Sequence, residues 1–208
     1  YNIINLPGGN VSSTAMVDKV VHELMDTAGV TGIAIGIIHD NQPTYVKTYG
    51  YRNKTLRLPN DTNTSFYAAS LAKALFATVV MQLVDKRQID LDKPLSSYLP
   101  KPLPEYENYK DLAGDDRWTL ITGRHCLEHS TGFPNWRQLN PTGSKKLQIF
   151  FTPGSRYAYS GEGIYLLQFV VEIITGQPLE ALARKYVFEP YGMINTSYVW
   201  QPSFEKNY

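Results

Sequence analysis

The sequence has little that would link it to nucleic acid, to a membrane or to a disulfide framework. Its 208 residues carry 20 Lys and Arg against 19 Asp and Glu, so the formal net charge is +1 and no surface for nucleic acid or anionic lipid is indicated. Cys126 is the single cysteine, which excludes an internal disulfide and a cysteine-built zinc site. No stretch reaches the roughly 18 to 20 continuous apolar residues of a membrane-spanning helix.

The chain has enough hydrophobic residues for a substantial core, and its first part predicts a helix followed by a hairpin. Hydrophobic residues make up 43% of the chain, which suits one large domain or two small lobes. Ser12 and Ser13 precede apolar residues at helical spacing that end at Gly29, as in a capped helix. The β-branched segment GIAIGIIHD, a turn at 41–43 and the segment TYVKTYGY then predict an antiparallel hairpin.

The remainder of the chain has mainly helical patterns. These cover 70–86, 123–129, 162–175 and 178–187. Residues 101–118 are polar and contain prolines, so we expect a long excursion over the surface that helps to shape a site. Only the late segment TSYVWQ has strand character again. Because a two-stranded hairpin is marginal alone, we expect the sheet to be incomplete in this chain.

A serine and a lysine stand three residues apart in the segment SFYAASLAKALFATVV. From Leu71 to Val84 this segment is apolar almost all round, which predicts a buried helix, and a buried ammonium is costly unless it is paired. In one interpretation Lys73 reaches the surface or a carboxylate and Ser70 caps the helix. In the other, the shared helix face places the amine beside the hydroxyl, where it can relay a proton. The segment alone favours the first.

A tyrosine in a glycine-containing turn offers a second candidate. Tyr159 and Ser160 stand just before a strongly apolar helix, in the segment RYAYSGEG. The ring of Tyr159 can simply pack, with its hydroxyl bonded to a neighbour. Alternatively its hydroxyl can carry a proton, with its acidity raised by an ammonium such as that of Lys73.

Six segments in order give the chain a family resemblance between about residues 30 and 200. The sequence resembles the serine β-lactamase and penicillin-binding protein superfamily, and within it the branch of class C β-lactamases, D-aminopeptidases and family VIII esterases. The segments are GIAIGIIHDNQPTYVKTYGY, SLAK, QIDLDKPLSSYLP, ITGRHCLEHSTGFP, YSG and ITGQPLEALARKYVFEPYGMINTSYVW.

The resemblance implies an α+β fold of the β-lactamase/transpeptidase type, with the active site between an antiparallel sheet lobe and a helical lobe. On this basis residues 1–208 form a single domain. Residues 12–69 contribute the N-terminal helix and hairpin of the sheet lobe, and residues 70–190 the nucleophile helix and helical lobe. The family's KTG motif, or its histidine variant, is missing after Tyr159. We therefore expect a segment of a longer hydrolase that lacks the C-terminal strands and last helix, with a degenerate family member as the alternative.

The resemblance also assigns the site. It makes Ser70 the acylated nucleophile, Lys73 its proton partner and Tyr159 the general base or proton relay, with the backbone N–H of Ser70 as one oxyanion donor. No metal or cofactor is required, the substrate is an ester, a D-amino-acid peptide or a β-lactam, and the location is periplasmic or extracellular. The family's tyrosine motif usually reads YSN, whereas position 161 is glycine. The lost amide makes efficient lactam hydrolysis less expected.

Other interpretations fit the sequence less well. The segment EHSTGFPNW resembles a structural segment of the family, which implies packing and capping roles for His125, His129 and Ser130. A metal site at His125 and His129 is not supported, because there is neither an HExxH pattern nor a third ligand. A Ser-His-Asp hydrolase is rejected because Ser160 lacks the GxSxG glycines and no histidine follows it.

A penicillin-binding sensor or scaffold without turnover remains the alternative from a different functional class. Tyr67 and Trp136 are candidate cleft residues, although core packing is the commoner fate of such side chains. The sequence does not indicate an oligomeric state.

Overall fold

The computed structural model describes residues 3–5 and 11–208, which form two compact units. The first unit contains the described residues up to Tyr67 together with Trp200–Tyr208, and the second is Ala68–Val199. The unit boundary thus lies close to the boundary at 69 and 70 that the sequence suggested between its lobes. The return of the final residues to the first unit was not predicted.

A capped helix and a small antiparallel sheet make up most of the first unit. Ser13 accepts a hydrogen bond from the backbone N–H of Met16 at 3.2 Å, and Gly29 ends the helix with a φ of 64°. The predicted caps are therefore confirmed at Ser13 and Gly29. In chain order the elements are β1 (Ile3–Asn5), β2 (Val11–Ser13), α1 (Thr14–Ala28), β3 (Gly32–His39), β4 (Gln42–Asn53) and β5 (Leu58–Pro59).

The predicted hairpin is confirmed as β3 and β4. The two strands pair antiparallel, with Gly32 opposite Gly50, and the turn places both Asp40 and Asn41 in the left-handed region. Such a turn matches the natural twist of a hairpin. One sheet face packs on α1 in a small core, and β4 also pairs with β5. That core contains Val21, Met25 and Tyr49, with Val17, Ile33 and Ile35 packed against them.

Helices and short 3₁₀ turns make up the second unit. The predicted helices are confirmed, although the one expected at 178–187 is a short α-helix followed by a π turn at Arg184–Phe188. Apolar faces of the helix after Ser70 and of the helix after Tyr159 share one core, which includes Val79, Leu83, Leu166 and Val170. The helices are α2 (Ala72–Asp85), α3 (Gly123–Leu127), α4 (Gly161–Thr175) and α5 (Leu179–Ala183).

Two local predictions are wrong. Residues 101–118 do not simply cross the surface, because their 3₁₀ turns bury Leu103, Tyr109 and Leu112 in the core. The segment TSYVWQ is not a strand. The backbone N–H of Tyr198 donates to Glu180 at 2.7 Å and its hydroxyl donates to the carbonyl of Ala72 at 2.7 Å, so side-chain bonds replace the pairing a strand would need.

Among the described residues, no single helix has the length and apolarity needed to cross a membrane. Gly161–Thr175 and Leu179–Phe188 pass that test only when they are taken together as a pair bent by 81°.

Candidate active site

Ser70 lies in a 3₁₀ turn, Ala69–Leu71, that leads directly into α2. The N-cap of α2 is Leu71, so the interpretation of Ser70 as a capping residue is wrong. Ala69, immediately before the serine, has a φ of 45°. A left-handed alanine is strained, and such strain is often found beside functional groups. The turn presents the hydroxyl of Ser70 to other side chains instead of to the helix backbone.

Lys73 is one turn further along the same face. Its Nζ donates a hydrogen bond to Ser70 Oγ at 3.1 Å, as the spacing of three residues on a helix allows. The side chain is only partly buried, so the expectation of a deeply buried ammonium is wrong. Among the described residues no carboxylate pairs with Lys73. Its charge is therefore directed at the serine.

Tyr159 reaches the same hydroxyl from a distant part of the chain. Its phenolic oxygen lies 2.8 Å from Ser70 Oγ, and Lys73 Nζ lies 5.2 Å from the centre of its ring. The pKa of Tyr159 is held below its ordinary value, first because the Lys73 ammonium interacts with the phenolic oxygen and second because of the bond with Ser70. The structure thus brings all three predicted site residues to one point.

The segment before α4 is fixed by a histidine that the sequence assigned only to packing and capping. Ala158 donates its backbone N–H to the carbonyl of His129 at 2.8 Å, and Ser160 donates its own to His129 Nδ1 at 3.2 Å. The imidazole ring lies 4.4 Å from the ring of Tyr159. Nδ1 lies 3.2 Å from both the backbone nitrogen and the carbonyl oxygen of Ser160. Burial lowers the pKa of His129 most, the bond with the Ser160 backbone opposes that effect, and the charge of Lys73 adds to it. No sequence signal links His129 to the tyrosine.

Ser160 and Gly161 complete the support of the tyrosine. Ser160 is fully buried, and its Oγ accepts from the N–H of Gly163 and donates to the carbonyl of Pro134, both at 2.9 Å. It is therefore the N-cap of α4. Gly161 donates its N–H to Asn135 Oδ1 at 3.0 Å. The backbone on either side of Tyr159 is thus bonded to the segment that begins at His129.

The remaining candidates have other surroundings. His125 forms a capping box with Thr122 at the start of α3. Ser130 donates to Glu128 at 2.8 Å. Tyr67 belongs to the first unit and is 90% exposed, so it is not a core residue, whereas Trp136 is partly buried. Within the part of the chain that the structure describes, no group of three His, Cys, Asp or Glu residues could hold a metal ion.

Chemically, the arrangement surrounds one hydroxyl with an amine and a phenol. Both groups can accept a proton when they are deprotonated and return it when they are not. The serine oxygen is a weak nucleophile unless a neighbour takes its proton, and here two neighbours are within hydrogen-bonding distance.

Known proteins share this arrangement of elements. The family model described as Beta-lactamase matches residues 17–208. The chain belongs to the beta-lactamase family. A Salmonella schwarzengrund (strain CVM19633) protein named "Putative D-alanyl-D-alanine carboxypeptidase" is 29% identical over 199 residues, which cover 81% of this chain and 44% of that protein. The chain therefore spans less than half the length of this curated relative.

Solved structures agree on the fold. The octameric penicillin-binding protein homologue from Pyrococcus abyssi is 26% identical, with a TM-score of 0.74 over 95% of this chain and 47% of that one. D-alanine carboxypeptidase AmpC from Burkholderia cenocepacia is 24% identical, with a TM-score of 0.75 over 93% of this chain and 52% of that one. The predicted superfamily and the β-lactamase/transpeptidase-like α+β fold are confirmed.

Proposed function

We propose that this chain carries the nucleophile and the proton-transfer groups of a serine hydrolase that works through an acyl-enzyme. The observation that carries the proposal is the convergence on Ser70 Oγ, with Lys73 Nζ at 3.1 Å and the Tyr159 hydroxyl at 2.8 Å. Family membership supports it, since the relatives named above include carboxypeptidases.

In the acylation step, the Tyr159 phenolate takes the proton of Ser70 as Oγ forms a bond to the substrate carbonyl carbon. The C=O electrons move onto the oxygen, which becomes an oxyanion. When the oxyanion collapses, the bond to the leaving group breaks and the leaving group takes the proton from Tyr159. The role of Lys73 is to make the phenol more acidic and to orient the serine, because its positive charge favours the phenolate.

Deacylation runs the same transfers with water. A water molecule gives a proton to Tyr159 and attacks the acyl carbon, and Ser70 recovers that proton as its ester bond breaks, so the net reaction is hydrolysis. The oxyanion would be stabilised by the backbone N–H of Ser70 and by the positive end of α2, which starts two residues later.

The relatives and position 161 support a choice among substrate classes. A D-amino-acid peptide, an ester or a β-lactam supplies the carbonyl and leaving group that this chemistry needs. Without a side-chain amide at Gly161, we place esters and peptides ahead of lactams. A periplasmic or extracellular location is part of the same proposal, since D-amino-acid peptides of that kind belong to the cell wall.

Intact-mass analysis tests the proposal directly. The protein is incubated with a fluorescent penicillin and, separately, with p-nitrophenyl butyrate. A transient mass increase with released p-nitrophenol is expected in the wild type and none in Ser70→Ala. A lasting adduct would favour a penicillin-binding sensor without turnover. No adduct with either reagent would contradict the proposal and favour a scaffold.

A further inference from the structure

The space beside Gly161 is filled by the indole of Trp136. A Cβ atom built on Gly161 would lie 2.5, 2.6 and 2.8 Å from three carbon atoms of the six-membered ring. Carbon atoms in contact normally lie about 3.5–4.0 Å apart. The φ of Gly161 is outside the left-handed region, so its backbone conformation does not require glycine. Position 161 thus has no room for a side chain because the indole of Trp136 occupies the space.

The two sequence neighbours of Trp136 hold the indole in that place. Asn135 accepts the N–H of Gly161 on both its backbone and side-chain oxygens at 3.0 Å. On the other side, Arg137 donates its Nε and a terminal nitrogen to Glu162 at 2.9 and 2.8 Å. Glu162 is only 4% exposed, so this bidentate pair is sheltered from water. Trp136 is therefore held by bonds from both of its sequence neighbours to the start of α4.

The indole lies beside a second aromatic ring and a neutralised ion pair. Gly161 follows Tyr159 by two residues, so Trp136 packs on the segment that carries the tyrosine. The ring of Tyr165, itself 55% exposed, lies 5.4 Å from the indole. Arg137 and Glu162 neutralise each other. The indole and the ring of Tyr165 thus form an apolar pair next to the segment that carries Tyr159.

We propose that Trp136 is a specificity-determining residue that selects apolar acyl groups, and that Gly161 is the residue that makes room for it. The proposal rests on the proposed acyl transfer to Ser70. An apolar acyl chain would lie against the indole, whereas a short or charged acyl group would gain nothing from that contact.

The first experiment measures acyl preference. Values of kcat/KM are compared for p-nitrophenyl hexanoate and p-nitrophenyl acetate. Because a methylene group in an apolar pocket is worth about tenfold or more, we expect the wild type to prefer hexanoate by at least about tenfold. Trp136→Phe, which keeps an aromatic ring, should retain that preference, and Trp136→Ala should reduce it to within about threefold of equality.

The second experiment tests the packing without any need for activity. Gly161→Ala should lower the Tm of the wild type by several degrees, because the methyl group meets the indole. In Trp136→Ala the same change should raise the Tm by about 2–4 °C, because alanine is the better helix former. Gly36→Ala is the control, since a Cβ there meets no atom within 4 Å. A Gly161→Ala effect of the same sign in both backgrounds would overturn the assignment of Gly161.

The outcomes separate this inference from the function on which it rests. If the wild type is acylated by both esters and Trp136→Ala leaves their ratio unchanged, the specificity role is wrong and the proposed function stands. If the wild type is acylated by neither ester, nor by the penicillin, the proposed function is wrong and the specificity role is lost with it. The Tm cycle in that case still decides whether Trp136 and Gly161 are packed as described.

Discussion

Each unit contains a tyrosine hydroxyl near a lysine, but the tyrosine pKa is shifted in opposite directions in the two units. In the second unit Tyr159 and Lys73 meet at Ser70, and the pKa of Tyr159 is lowered. In the first unit Tyr45 and Tyr49 donate to Asp18 at 2.8 and 2.7 Å. There the pKa values of both tyrosines are raised, chiefly by burial.

The Asp18 carboxylate accounts for much of the difference between the tyrosine pKa shifts in the two units. Lys47 donates to Asp18 at 2.7 Å, and at Tyr45 the pKa-lowering effect of its charge is outweighed by burial and by the Asp18 carboxylate. The two tyrosine hydroxyls also bond to each other. Lys73 has no such partner among the described residues, and its charge acts on Tyr159 and Ser70. The lysine thus lowers the tyrosine pKa overall at Tyr159, where its effect outweighs burial, whereas at Tyr45 and Tyr49 burial and the Asp18 carboxylate raise it.

The largest expected effect comes from removing Lys73. Lys73→Ala should lower the acylation rate by about 10⁴, the upper end for a proton-transfer group, because it removes both the serine's partner and the charge that acidifies Tyr159. Stopped-flow release of p-nitrophenol measures the rate. Lys47→Ala is the matched control and should acylate as the wild type does. An equal loss of acylation rate in Lys73→Ala and Lys47→Ala would mean that the different surroundings of the two lysines do not matter for catalysis.

The next largest effect separates the tyrosines. Tyr159→Phe should reduce acylation by about 10², since the phenolate is lost and the amine of Lys73, 3.1 Å from Ser70 Oγ, is left to take the proton in its place. Tyr49→Phe should leave acylation unchanged but lower the Tm by about 2–4 °C, because a buried hydroxyl loses its bond to Asp18. The acylation rate and the Tm are measured for both variants. Normal acylation in Tyr159→Phe would remove the phenol from the mechanism.

The pH profile tests the acidity of Tyr159. Because the reacting form is the phenolate, the acylation rate should rise with pH and reach half its maximum below 10.0, the ordinary value of the tyrosine pKa. In Lys73→Ala the pKa-lowering charge is gone, so the midpoint should move upward. Lys47→Ala should not move it. A midpoint that is unchanged in Lys73→Ala would contradict the proposed coupling.

The smallest effect concerns acid stability of the first unit. Bonds from Lys47, Tyr49 and Tyr45, in that order of effect, lower the pKa of Asp18 from 3.8 to about 2. A depressed carboxyl pKa stabilises the fold above the unfolded value and loses that contribution as pH falls from about 4 to about 2. Asp18→Asn should therefore flatten the acid-unfolding curve in this window. Circular dichroism during acid titration measures it, and an unchanged curve would exclude this role of Asp18.

Much of the fold could be predicted because its signals are local. The caps of α1, the hairpin turn and the apolar faces of α2 and α4 all depend on residues within a few positions of one another. The 3₁₀ turns that bury Leu103, Tyr109 and Leu112 could not be predicted, since their apolar residues follow no single period. The segment at Tyr198 was mistaken for a strand because its partners, Glu180 and Ala72, are distant in sequence.

The sequence by itself determined that Ser70 and Lys73 share one face, since a spacing of three residues on a helix places two side chains there whatever surrounds them, although the segment alone favoured a capping role for Ser70. Only the tertiary structure decided that Tyr159, 89 residues away, reaches the same oxygen. It also decided that Lys73 is partly exposed, that His129 packs on Tyr159 and that Trp136 occupies the space at Gly161. These contacts depend on how distant segments pack, and helical periodicity carries no information about that packing.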